Sequence, residues 1–316
     1  MANAPVVTLT LNPALDLTVQ LAELVAGEVN LADCGSLRAA GKGINVAMVL
    51  RDLGEQVCVT GVLGQDNREK FDALFVEHQM VNYYQYEQGA TRINVKLSET
   101  SGRVTDVNLP GLVVSETSWQ QLQRTLLQLC EKADWFVLSG SLPKGLATDA
   151  YGHICNLLRE RGKKVVIDTS GKALHAAVDA APEVIKPNVQ ELEQWAGKPL
   201  PTQALQEEAV RSLLNRQIRH VVLSDGENGL RWYSREGAWQ ALPPKVEVVS
   251  TVGAGDSLVA GISYGLMNNF SVADTLILAT AVAAMAVNQV GVGITSPLRL
   301  DQLKQQVSIK PLSFSC

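Results

Sequence analysis

From residue 115 to residue 223 the chain repeats one arrangement, a helix-length amphipathic stretch followed by a short run of β-branched and aromatic residues. The pattern predicts helix 115–131 before strand Trp135-Phe136-Val137-Leu138, and helix 148–161 before Val165-Val166-Ile167-Asp168. Helix 171–180 comes before Val184-Ile185-Lys186, and helices 188–195 and 203–216 come before Val221-Val222-Leu223. Strands alternating with helices at this pitch have to run parallel, because each helix carries the chain back across a face of the sheet. The result is a doubly wound α/β sheet, in which ligands collect at the carboxyl ends of the strands. Polar residues gather at those ends: Ser139-Gly140-Ser141, Asp168-Thr169-Ser170, Lys186-Pro187-Asn188 and Ser224-Asp225-Gly226. Small polar residues at a strand end are ordinary turn formers, so the set carries weight where any one of them does not.

The N-terminal part opens in the same style. Val6-Val7-Thr8-Leu9-Thr10-Leu11 reads as a buried strand closed by Asn12-Pro13, with Asp16 just beyond. Gly41-Lys42-Gly43-Ile44-Asn45 opens a helix with Ile44, Ala47, Leu50 and Leu53 at core spacing and Gly54 as its stop. Strand Val57 to Leu63 and helix Glu69 to His78 follow. Two pieces break the alternation. Residues 17 to 38 lack a helical period, and residues 82 to 109 hold Arg92-Ile93-Asn94-Val95-Lys96-Leu97, a turn near Ser101-Gly102, and Val104 to Leu109. Both read as strands of one small inserted sheet.

Charge and composition exclude several functions. A net charge of -5 disfavours nucleic acid as the main partner, since phosphate backbones want a basic face. Five scattered cysteines without a C-x-x-C pair fit reduced thiols, and the histidines at 78, 153, 175 and 220 lack metal-ligand spacing. The N-terminus, Met1 to Pro5, lacks a signal-peptide layout. The apolar window Thr275 to Val287 is about two-thirds of a membrane span and reads as a buried helix, so no membrane partner is expected.

Chemistry concentrates in Thr251-Val252-Gly253-Ala254-Gly255-Asp256-Ser257, just before a long apolar helix. Glycines allow a tight turn and close approach to a ligand, and a helix N-terminus adds unpaired N–H groups and a positive dipole end. Such a turn holds an anion. An acid placed there would repel the anion unless it has a task of its own, and taking a proton from a hydroxyl that attacks the bound group is that task. A plain helix start with Asp near its N-cap is the ordinary alternative. Two familiar nucleotide patterns fail. From Gly35 to Gly41-Lys42 the P-loop spacing is one residue too long, and Gly43 stands where Ser or Thr is needed. The dinucleotide pattern begins at Gly41, Gly253 and Gly291 and lacks its third glycine each time, which weakens an oxidoreductase reading.

The Thr251–Ser257 heptad resembles the C-terminal signature of the ribokinase-like (phosphofructokinase B) sugar kinases. Ala39-Ala40-Gly41-Lys42-Gly43-Ile44-Asn45-Val46-Ala47 resembles the N-terminal signature, in the form of the phosphosugar-kinase branch. Asn12-Pro13-Ala14-Leu15-Asp16, Thr91 to Lys96, Ser139-Gly140-Ser141-Leu142-Pro143, Lys186-Pro187-Asn188 with Glu191, and Val292-Gly293-Ile294-Thr295 match as well, so the resemblance spans essentially the whole chain. It implies a single kinase domain over residues 1–316. The implied architecture is a three-layer αβα sandwich with a mainly parallel sheet and a small β-sheet lid from segments of about 17–38 and 82–112.

The activity implied is magnesium- and ATP-dependent phosphorylation of a phosphosugar, with fructose 1-phosphate and its 6-hydroxyl first and tagatose 6-phosphate or fructose 6-phosphate as alternatives. A sugar-phosphate sensor that keeps the fold without catalysis is a further one. By the same resemblance Asp256 is the catalytic base, and the amides of Gly253, Ala254 and Gly255 meet the transferring phosphoryl group. Asp16 and Asn45 hold sugar hydroxyls, with Gly41, Lys42, Gly43, Asn94 and Ser139 in the same sugar site. Arg92 takes the existing phosphate, a duty Lys42 or Lys96 could share. Lys186, Asn188, Ser224, Gly226, Gly229, Thr251, Gly253 and Gly255 fall on the nucleotide side, and Glu191 orients magnesium through water. Asp225 departs from the family's usual apolar residue. A potassium ion near Ser250 and Val252, a cytoplasmic location, and a homodimer that pairs the exposed lid edges complete the expectations.

Overall fold

A computed structural model describes residues 4–314. The chain runs β1 (Val6–Thr10), β2 (Ala14–Leu21), β3 (Cys34–Ala40), α1 (Lys42–Asp52), β4 (Val57–Gly64), α2 (Glu69–Glu77), β5 (Val81–Asn82), β6 (Gln85–Glu87), β7 (Ile93–Glu99) and β8 (Val104–Asn108). It continues through α3 (Glu116–Leu129), β9 (Trp135–Ser139), α4 (Ala150–Arg159), β10 (Lys164–Asp168), α5 (Gly171–Asp179), β11 (Val184–Ile185), α6 (Val189–Ala196), α7 (Gln203–Leu214) and β12 (His220–Ser224). The last elements are β13 (Leu230–Ser234), β14 (Gly237–Leu242), α8 (Ala254–Met267), α9 (Val272–Val287), α10 (Pro297–Gln306) and β15 (Ser308–Leu312).

The large sheet has the order β15-β14-β13-β12-β11-β10-β9-β1-β4-β5, with β6 also on β4. Its strands are parallel from β5 through β12. Alternation along the strands explains why both faces are covered. Val7 and Leu9 of β1, Phe136 and Leu138 of β9, and Val165 and Ile167 of β10 pack with residues of α3 to α7. Their neighbours Val6, Trp135, Val137 and Val166 pack with α1, α2, α8, α9 and α10. Two helical layers therefore enclose one sheet, as the alternating pattern predicts. Among the described residues no helix is long and apolar enough to cross a membrane.

Two features differ from the sequence reading. Strands β13, β14 and β15 add antiparallel to the edge of the parallel sheet. Every residue of β13 is buried, so no polar–apolar alternation marks it, and its turn to β14 through Arg235-Glu236 is not one of the strong hairpin dipeptides. The segment read as starting at residue 17 begins its strand earlier, at Ala14, and its partner ends at Ala40, with residues 22–33 as irregular connection. Asp16 thus lies on a strand, where spacing alone suggests a turn.

These strands form a second sheet in the order β3-β2-β7-β8, with β2 and β7 parallel and the outer pairs antiparallel. The described cysteines, Cys34, Cys58, Cys130 and Cys155, are all free, and Cys316 lies outside the described residues.

Candidate active site

The order of the large sheet places the polar strand ends side by side. Ser139 ends β9 in register with Asp168 at the end of β10. Next along the edge come Lys186 after β11 and Ser224 ending β12. Strand order turns around β1, which sits between β4 and β9, and ligands of doubly wound sheets occupy the crevice at such a switch. Two helices begin above it, α1 directly after β3 and α8 after the Thr251–Gly253 turn.

Glycines hold these helix starts against the sheet. A Cβ on Gly43 would lie 2.7 Å from the Leu9 carbonyl oxygen and 2.5 Å from Thr10 Oγ1, so only glycine lets α1 begin this close to β1. Gly253 caps α8 with φ near 80°, and a Cβ there would meet Val292 Cγ2 at 2.3 Å. The heptad and the Val292-Gly293-Ile294-Thr295 stretch are therefore packed against each other. Helix α8 starts at Ala254, so Gly255 and Asp256 belong to its first turn and do not precede it.

Side chains from four elements meet at that turn. Asn45 Nδ2 donates to Asp256 Oδ2 at 2.7 Å, and Lys42 Nζ lies 3.4 Å from Asp256 Oδ1. Lys42 Nζ also lies 3.3 Å from Asp168 Oδ2, and Lys186 Nζ is 3.1 Å from Asp168 Oδ1. One chain of charge runs Asn45–Asp256–Lys42–Asp168–Lys186, with both carboxylates buried.

The two acids differ electrostatically. Burial pushes Asp256 above the usual carboxylate range; Lys42 works against that, while the charge of Asp168 adds to it. At Asp168 burial acts in the same direction, but Lys186 and Lys42 outweigh it and hold the carboxyl below its ordinary value. The Lys42 ammonium is raised, chiefly by Asp168, against burial and with help from Asp256. Asp256 is consequently the carboxylate whose affinity for a proton is enhanced, at a helix N-terminus that favours an anion. Asp168 is the residue the sequence reading left without a role. Its signal was there, an acid closing a four-residue strand, but that pattern alone does not separate an ion-pair anchor from a turn residue.

A second group sits on the small sheet. Asn94 Nδ2 donates to Asp16 Oδ1 at 3.0 Å, and burial raises Asp16 while Asn94 and Arg92 act against the rise. Arg92, expected to take a phosphate, donates from Nε to the main-chain oxygen of Pro13 at 3.3 Å and from Nη2 to that of Asn12 at 3.2 Å, which leaves three of its five N–H donors for an anion. Asn12 in turn donates to Ser141 Oγ at 3.0 Å, which ties this group to the β9 end. Lys96 is taken by Asp106 at 2.8 Å.

The nucleotide-side residues form a third group. Asn188 caps α6 and pairs with Ser224 in an isolated bridge. Glu191 completes a capping box, its carboxylate accepting the Asn188 N–H at 2.9 Å, so its position serves the helix start first. Gly226 has φ near 52° with open space at its Cβ position, which suits approach by a ligand. A Cβ on Gly229 would lie 2.1 Å from the Ala241 carbonyl oxygen, so that glycine answers to the β13–β14 hairpin. Asp225 bonds within its own loop, to Gly229 and Asn228. Thr251 is exposed and reaches none of the three groups, its carbonyl accepting from Ala254 at 3.4 Å. No cluster of three or more His, Cys, Asp or Glu suited to a metal ion occurs among the described residues.

Comparison with known proteins gives one consistent picture. The family described as pfkB family carbohydrate kinase matches residues 1–299. A Vibrio cholerae serotype O1 protein named 1-phosphofructokinase is 47% identical over 307 residues, 97% of each chain. One of the same name from Escherichia coli K12 is 46% identical over 308 residues, 98% of this chain and 99% of its own. Among solved structures, phosphofructokinase-2 from Escherichia coli in complex with potassium superposes with a TM-score of 0.89 at 26% identity, covering 96% of this chain and 98% of that one.

Proposed function

We propose, given that the chain belongs to the pfkB family of carbohydrate kinases, that it is a 1-phosphofructokinase, which phosphorylates D-fructose 1-phosphate at its 6-hydroxyl to give fructose 1,6-bisphosphate and ADP. The observation that carries the reaction is Asp256, a buried carboxylate of raised proton affinity in the first turn of α8, oriented by Asn45 and Lys42. Identity of 46–47% to proteins named for this substrate supports the choice of sugar.

In this reading Asp256 takes the proton of the 6-hydroxyl as its oxygen bonds to phosphorus, and ADP departs with the electrons of the broken bond. ATP supplies the phosphoryl group, and magnesium on its phosphates offsets their charge. The amides of Gly253, Ala254 and Gly255 meet the negative charge that develops. Asp16 and Asn94 orient the sugar, with Gly41, Gly43 and Ser139 shaping the floor beneath it. Lys186, Asn188, Ser224 and Gly226 would face the nucleotide, and Glu191 would hold a water of the metal. Potassium beside Ser250 and Val252 is part of the proposal, as is a cytoplasmic location; the structural relative named above was solved with that ion.

A panel of fructose 1-phosphate, fructose 6-phosphate and tagatose 6-phosphate, assayed by coupled ADP release with ATP and magnesium, tests the function. The expected result is a kcat/KM for fructose 1-phosphate at least about tenfold above either competitor, the scale of one lost charge-assisted contact. Fructose 6-phosphate deserves its place because the fold is shared with a phosphofructokinase-2 solved in complex with it, at 25% identity and a TM-score of 0.87. A preference for either competitor would overturn the substrate assignment, and binding without ADP release would overturn catalysis.

The small sheet is proposed as the lid of a single kinase domain and as the seat of a homodimer. Its outer strand β8 leaves Val104 and Val107 exposed, an edge that pairing would cover. Light scattering at micromolar concentration is expected to give twice the 34.0 kDa chain mass. A monomer there would sink the pairing.

A further inference from the structure

The large sheet is hollow at the end away from the candidate active site as well. A cavity of about 370 Å³ opens at the amino ends of β1, β9 and β10, within the size range of small-molecule sites. Its walls are the chain entering β1 at Ala4 and Pro5, Glu55 in the turn after α1, Trp135 and Lys164 at the starts of β9 and β10, and the C-terminal end of α8. Ser139 and Asp168 close β9 and β10 at their opposite ends, so the cavity is separate from the site built around Asp256.

Two opposite charges line this cavity, and neither has a counter-ion among the described residues. Glu55 is only 4% exposed. Its Oε1 accepts from Asn268 Nδ2 at 2.8 Å, while Arg51 donates at 2.6 Å to its carbonyl and not to its carboxylate. A carboxylate is rarely buried this deeply without a cation, because the cost of desolvation then stands uncompensated. Lys164 is exposed at the mouth, held over the Trp135 ring at 4.8 Å from its centroid, and forms no ion pair among the described residues. Asp134, which also lines the cavity, is bound to Lys163 at 2.8 Å.

We propose that this cavity binds a small zwitterion of the free amino acid class, its ammonium on the Glu55 carboxylate and its carboxylate toward Lys164. Both charges of the ligand are needed because both charges of the cavity are unmatched. A simple amine leaves Lys164 without a partner, and a simple acid meets Glu55 as a like charge. The end of α8 lines the same space, and the negative end of its dipole favours the ammonium. Leu266, Met267 and Trp135 offer apolar surface to the ligand's side chain.

The test is calorimetric titration of the full chain with each of the standard amino acids at millimolar concentration. At least one is expected to bind. For that amino acid, its decarboxylated amine and its deaminated acid are titrated next, and each is expected to bind about tenfold or more weakly, the scale of one lost charge-assisted contact. Two variants locate the ligand. Glu55→Gln keeps an oxygen for Asn268 and loses the charge, and Lys164→Met keeps an apolar stem on Trp135. Each is expected to weaken amino acid binding about tenfold or more, with the kinetic constants for phosphosugar and ATP unchanged.

Binding of none of the amino acids would overturn the proposal. So would an amine or an acid that binds as tightly as the amino acid itself, which would make one of the two charges irrelevant. Unchanged affinity in both variants would place the ligand elsewhere on the chain and overturn it equally. If Glu55→Gln fails to fold, the amine and acid titrations on the wild type and the Lys164→Met variant still decide the matter.

Discussion

Asp256→Asn is expected to lower kcat by about 10²–10⁴-fold, the usual contribution of a positioned general base, while the KM for the sugar changes little. The isosteric amide keeps an oxygen for Asn45 or Lys42 but cannot accept the proton of the attacking hydroxyl. Stability should not suffer. Burial raises the folded-state pKa of Asp256, so the folded chain binds more protons than the unfolded chain between the ordinary carboxylate value and that raised value. Stability contributed by such a group is present at low pH and is lost as pH rises through the folded pKa, so at neutral pH the charged form works against folding. A neutral replacement removes that penalty, and the melting temperature of Asp256→Asn is expected at or above wild type. The same shift places the acid limb of the wild-type kcat/KM profile above the pH at which an exposed carboxylate would titrate, with activity falling as the base becomes protonated. Steady-state kinetics with a thermal melt on the same preparation checks both halves. Turnover within about tenfold of wild type would remove Asp256 from the role of base.

The opposite signature is expected at Asp168. Its pKa is held down by Lys186 and Lys42 against burial, so its contribution to stability is present above the ordinary carboxylate value and is lost as pH falls through the lowered one. Asp168→Ala leaves the Lys186 ammonium, with 7% of its side chain exposed, without the carboxylate 3.1 Å away. Uncompensated buried charges of this kind cost about 3–5 kcal/mol, and the melting temperature is expected to drop by several degrees. Lys42, half exposed, suffers less in stability but keeps only Asp256 as its anchor, so kcat should fall with it. Adding Lys186→Met to Asp168→Ala removes the stranded charge and is expected to restore much of the melting temperature without restoring activity. Melting of Asp168→Ala within a degree of wild type would show that the pair contributes nothing to the fold.

Together these two carboxylates divide the work of one site. They lie on opposite sides of Lys42, and their pKa values are driven apart because one faces a single shared ammonium and the other faces two. Separation of this type is what allows one acid to exchange a proton while its neighbour stays ionised.

Much of the architecture was legible in the residues. Alternation of strand and helix from residue 115 requires parallel connections, and the polar strand ends mark one edge for ligand binding. The two glycine-rich helix starts could be located because glycine spacing reports backbone geometry directly. Less legible was β13, where burial of every residue erases the period of two, and Asp16, whose neighbours look like a turn until its strand finds β3 and β7.

Sequence alone thus determined the alternation of strands and helices, the parallel connections it requires, the helix-start turn and the acid within it, since each is set by residues close along the chain. Only the tertiary structure decided which charges meet. Lys42 reaches Asp168 and Asp256 across 126 and 214 residues, and Arg92 reaches the main-chain oxygens of Pro13 and Asn12 across 79 and 80. Those pairings depend on how separate elements are laid side by side, and a hydrogen bond or close ion pair needs its partners within a few ångströms, a proximity that no local pattern records.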